Sequence, residues 1–148
     1  MRITTSPALA TQEGWYFDLT ALNSTQESAR SVTNPQVQNG GVVFTTNALS
    51  SSACAVGGAS YLMNVKYNSG GPFAQPAIGL NGGINIGSGT VSGKNPTGVF
   101  IGNGYSSAPT TVKSSAGTNV QIISTANGLK VVPTIGNQSG RVGWWQVQ

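Results

Sequence analysis

The groups best suited to proton transfer, nucleophilic attack or metal binding are few in this chain. They are Glu13, Asp18, Glu27 and Cys54, with no histidine in 148 residues. Without an imidazole, neither a Ser-His-Asp nor a Cys-His nucleophile can be assembled, and histidine metal sites are excluded. Glycoside hydrolysis by paired carboxylates needs two acids facing one bond. Glu13 and Asp18 are an odd number of residues apart, so an extended strand sends them to opposite faces and only a bend would unite them. Cys54 has no internal disulfide partner and no base to activate it. It reads as an inert thiol, or as the partner of a cysteine beyond this chain.

Binding motifs are equally sparse. Leu80-Asn81-Gly82-Gly83-Ile84-Asn85-Ile86-Gly87-Ser88 has the spacing of a calcium loop, with amides and glycines where acids belong. Gly102-Asn103-Gly104 lacks the third glycine of a dinucleotide fingerprint, and no helical pattern follows. We therefore assign no catalytic residue, no cofactor and no metal ligand, and expect a protein that is not an enzyme. Aromatic side chains remain as contact groups. Trp144 and Trp145 are neighbours on an expected strand, so their rings face opposite sides: one is core, the other is exposed or packs on a neighbouring element, and the pair are the candidate contact aromatics. Trp15-Tyr16-Phe17 follows the same logic.

The elements that must position these groups are strands. Charged residues make up 7% of the chain, against a usual share of about 25%. Glycine is frequent, at 21 residues, and short apolar runs are bounded by Gly, Asn, Pro and Ser rather than spaced at helical period. Strands are expected at 14–19, 42–46, 60–66, 77–80, 99–102, 110–113, 120–124, 129–134 and 142–147. Asn127-Gly128 predicts a type I′ hairpin between two of them, because both residues tolerate positive φ. Asn39-Gly40 and Asn103-Gly104 carry the same signal more weakly. Pro133 belongs at a strand end or sheet edge, since it cannot donate to a ladder. The stretch 68–97 reads as a long irregular connection around one short strand, and 23–28 as one helical turn at most.

The net charge of +4 comes from seven scattered cations, with no basic run. Nucleic-acid binding needs a concentrated basic face, so it is not expected. No apolar stretch reaches the ~20 residues of a membrane helix, and no export signal is visible after Met1. A surface-type composition without such a signal points to a fragment of a longer exported protein.

Three blocks now suggest a family. Gly14-Trp15-Tyr16-Phe17-Asp18-Leu19 resembles the G-W-Y-x-D-L strand of the type IV pilus tip adhesin and pilus biogenesis family, the PilC/PilY type. The stretch from Arg30 to Met63 resembles its R-x-V-x-x-P-x-V-x-x-G-x-V-x-F-T-T block, followed by a cysteine and by Gly-Gly-x-S-x-L-M. Gly140-Arg141-Val142-Gly143-Trp144-Trp145-Gln146 resembles its closing G-R-x-S-W-R-E. Residues 87–128 match in general character alone. Some members carry an acidic D-x-N-G-D-G turn where this chain has Gly79-Leu80-Asn81-Gly82-Gly83, and Trp145 and Gln146 stand where Arg and Glu are frequent.

The resemblance implies that residues 1–148 form a single all-β region of antiparallel sheets, the last blades of a larger β-propeller domain. It implies an extracellular or cell-surface place, at the pilus tip or outer membrane, and a role in adhesion and pilus assembly. Minor pilins, pilus tip proteins and host or abiotic surfaces are the implied partners. Isolated blades would expose apolar faces and strand edges, so either self-association or rearrangement into a β-sandwich or small barrel is expected. Two rival readings fit the same composition. One is a structural subunit of a phage tail, capsid or extracellular filament; the other is a carbohydrate-binding module using exposed aromatics.

Overall fold

The computed structural model describes residues 14–21, 24–52, 57–74, 77–78, 95–113 and 119–134. The strands are β1 (Gln36–Gln38), β2 (Gly41–Leu49), β3 (Gly58–Lys66), β4 (Gly98–Asn103), β5 (Thr110–Lys113), β6 (Asn119–Thr125) and β7 (Gly128–Thr134). They form two antiparallel sheets, in the order β1-β2-β3-β4 and β5-β6-β7. No helix occurs among the described residues, and neither sheet closes on itself as a barrel. The all-β antiparallel class expected from the sequence holds.

The β2–β3 pair forms the spine, with an unbroken register from Gly41↔Lys66 to Leu49↔Gly58. Val42, Val43, Phe44, Thr45 and Thr46 are β-branched or aromatic, the types that fit a pleated surface. Both faces of this pair are buried, which is why its strands lack simple alternation of apolar and polar residues. On one face, Val43, Leu62, Val99 and Ile101 meet Ile123 and Val132 of the second sheet, with Ile78 filling between them. On the other, Phe44, Ala59, Tyr61, Met63 and Val65 lie under Trp15, Phe17 and Leu19. Packing of two sheets around one core is common to adjacent propeller blades and to a sandwich.

Two expected strands resolve differently. Residues 14–19 keep the alternation of a strand, with Trp15, Phe17 and Leu19 half-buried and the residues between them exposed, yet they join no sheet. The segment crosses over side chains on the sheet face, where it meets no open strand edge to pair with. Ala77 and Ile78, the described part of the expected strand at 77–80, are buried and also outside any strand. The expected strand at 142–147 lies outside the described residues. β1 is an addition, a three-residue edge whose polar Gln-Val-Gln sequence gives little strand signal.

The turns also exchange roles. Asn39 and Gly40 form the two-residue β1–β2 connection with φ of 48° and 75°, the double positive φ that a type I′ turn demands. The β6–β7 hairpin is present, but Thr125 pairs with Gly128, so Ala126 and Asn127 form its loop. Gly128 alone takes positive φ there, at 106°. The expected type I′ turn at Asn127-Gly128 is therefore replaced by a loop followed by a left-handed glycine, a geometry that also matches strand twist. Pro133 is next to last in β7, at the edge of its sheet, as its missing N–H requires.

Candidate contact surface

The register of the second sheet sorts its residues cleanly. Gln121, Ile123, Thr125, Val132 and Thr134 are buried against the first sheet. Their neighbours Val112, Val120, Ile122, Leu129, Val131 and Pro133 share the opposite face with the exposed Thr110 and Ser124, since Val120 pairs with Val112 and Pro133, Ile122 with Val131 and Thr110, and Ser124 with Leu129. That outer face is open: Leu129 is 72% exposed, Val131 53% and Val112 42%. Lys113 and Lys130 fall on the other parity, so the outer rows of β5, β6 and β7 carry no charge. Three strands about 4.8 Å apart, with about six residues each at ~3.3 Å rise, give a face of roughly 300 Å². Contiguous apolar patches of a few hundred Å² are the size at which contact sites begin to be found. A standard interface takes about 800 Å² per partner, so this face alone makes a weak contact.

A polar network fixes this sheet to the first one. Asn47, on β2, accepts at Oδ1 from the Ser60 hydroxyl at 2.8 Å, from the Ser106 N–H at 2.9 Å and from the Ser106 hydroxyl at 3.2 Å. The Ser60 hydroxyl is also within hydrogen-bond reach of the Gly104 carbonyl. Ser106 bridges in turn to Thr125 of β6. Thr45, one turn of the pleat away, donates to the Ser107 carbonyl at 3.0 Å. The 104–107 segment is thus clamped between the two sheets by β2 side chains. Asn47 Nδ2, Gln121 Nε2, Gln38 Nε2, Asn64 Oδ1 and Thr46 Oγ1 are buried without a hydrogen-bond partner.

The residues singled out from sequence are dispersed. Trp144 and Trp145, the expected contact aromatics, lie outside the described residues, as do Cys54, Glu13 and the glycine-rich 80–88 segment. Asp18 is exposed. Trp15 and Phe17 stack at 5.7 Å with planes 5° apart and pack on the core, while Tyr16 points to solvent, as the alternation predicts. Phe100 is exposed on β4 and meets Tyr61 edge to face at 5.8 Å. Among the described residues, no group of three or more His, Cys, Asp or Glu stands ready for a metal ion, and no helix is long and apolar enough to cross a membrane. Sequence reasoning missed the exposure of Leu129 and Val131. Their signal was present, because Leu129, Val131 and Pro133 alternate with Lys130 and Val132, but which row faces out depends on the partner sheet.

No protein-family model, no curated protein and no solved structure matches this chain.

Proposed function

We propose that the chain is a non-enzymatic contact segment of a cell-surface protein of the type IV pilus tip adhesin kind, working in adhesion and pilus assembly. The partners in this reading are minor pilins or pilus tip proteins and host or abiotic surfaces. The observation that supports it is the uncharged, largely apolar outer face of β5, β6 and β7, with Leu129, Val131 and Val112 open to solvent. A face of this size holds weakly by itself, and many weak contacts in parallel suit a filament tip, where linked contacts multiply in avidity. The sequence blocks around Trp15 and from Arg30 to Met63 supply the family part of the reading.

The test is binding of the immobilised chain to purified minor pilins by interferometry, together with retention of chain-coated beads on glass and on host cells. The double substitution Leu129→Lys and Val131→Lys is expected to lower binding at least tenfold and leave the unfolding midpoint in place. The reading fails if no pilin and no surface retains the chain, or if the lysine variant binds as well as the parent. Tail or capsid genes beside the coding sequence, in place of pilin genes, would move the chain to the structural-subunit class.

A further inference from the structure

Residues 14–19 sit in a seat that is built for them. The Trp15 indole N–H donates to the Tyr67 carbonyl at 2.7 Å. Its ring lies against Gly70, whose φ is 63° and where any Cβ would overlap the indole. Phe17 stacks on Trp15, and Leu19 completes the row over Phe44, Tyr61, Met63 and Val65. The Leu19 carbonyl accepts from the Ala29 N–H at 2.8 Å. This is recognition of an extended segment by alternate side chains and one indole pocket, without a strand ladder.

We propose that this seat is a binding site for an extended Trp-x-Phe-x-Leu segment, and that the same segment of a second copy of this chain occupies it by exchange. The fit of the occupant is displayed by the chain's own copy of it. Exchange breaks side-chain packing and hydrogen bonds that the incoming segment restores one for one, which is the low-cost route to a dimer. The following chain is first anchored at Ser24 and Thr25, whose carbonyls accept from the Ser51 hydroxyl at 3.0 Å and the Ser51 N–H at 3.1 Å. Four residues, 20–23, lie between Leu19 and that anchor, and a chain of that length spans up to about 14 Å, so the segment can leave its own seat while the chain that follows stays held. The tethered segment competes at an effective concentration in the millimolar range, so exchange in the parent chain is populated at about millimolar protein. This site is on the far side of the first sheet from the apolar face of β5, β6 and β7, and its test is independent of that face.

Two full-length variants test the exchange. In one, Trp15→Ser, Phe17→Ser and Leu19→Ser remove the segment's side chains and keep the seat. In the other, Gly70→Val blocks the seat and keeps the segment. Neither dimerises alone by this route. Mixed in equal amounts, they are expected to form a 1:1 dimer in sedimentation velocity and to raise the melting temperature of the triple-serine chain. A peptide of residues 14–21 is expected to bind the triple-serine chain at least tenfold more tightly than the same peptide with Trp15→Ala, both read by isothermal titration calorimetry. Should the triple variant fail to fold, the single Trp15→Ala chain takes its place in the peptide titration. Absence of saturable peptide binding overturns the site, and peptide binding without a mixed dimer overturns the second copy as its occupant.

Discussion

Asn47→Ala is the most telling single change in the interior. The Asn47 side-chain oxygen Oδ1 is the acceptor for the buried Ser106 N–H and lies within reach of both the Ser60 and Ser106 hydroxyls. Truncation leaves the Ser106 amide buried with no acceptor, which costs about 1–3 kcal/mol. The emptied space adds about 1 kcal/mol of lost packing. The Ser60 hydroxyl keeps the Gly104 carbonyl, and loss of the unpartnered Nδ2 returns part of its desolvation. The net expectation is about 2–3 kcal/mol, a substantial share of the ~5–15 kcal/mol that stabilises a domain. With a urea slope of about 1.5 kcal/mol/M, the unfolding midpoint falls by about 1.3–2 M. Ser106→Ala is the control, because it keeps the N–H and removes one hydroxyl, for a loss under about 1 kcal/mol. If Asn47→Ala costs no more than Ser106→Ala, the clamp between the sheets does not depend on that oxygen and the argument is wrong.

Other consequences are simpler to read. Leu62 is fully buried where the two sheets meet, so Leu62→Ala is expected to lose about 3–4 kcal/mol in the same denaturation assay. Gly40→Ala meets no atom within 4 Å of the new Cβ but must hold φ at 75°, so it loses about 1 kcal/mol from conformation alone. Asn127→Ala has no positive φ to support and stays within about 0.5 kcal/mol; the reverse order would restore the type I′ reading of that hairpin. Gln121→Met removes a buried amide nitrogen that has no partner, while Thr111 keeps its bond to Gln36, so calorimetry should show a melting temperature equal to or above the parent's.

Much of the fold is legible in the chain itself. Runs such as Val42 to Thr46 and Tyr61 to Val65 specify strands through β-branched and aromatic residues, and the Gly-, Asn- and Pro-rich breaks between them enforce turns. The absence of histidine and the scarcity of acids narrow the chemistry by themselves. Local sequence misleads where two solutions have similar local energy. Asn39-Gly40 and Asn127-Gly128 are the same dipeptide, and the strand register decides which one occupies both turn positions. Residues 14–19 carry a strand's alternation, and the neighbour they meet decides whether a ladder forms: here it is a sheet face, not an edge. The second sheet's alternation names two rows, Leu129-Val131-Pro133 and Lys130-Val132-Thr134, both able to pack. Burying Val132 with Ile123 against Leu62 turned the first row outward. Composition and periodicity thus determined that this protein builds antiparallel sheets with few reactive groups. Which apolar row became core and which became open surface was decided by tertiary packing, because a period of two residues fixes opposite faces without saying which one meets water.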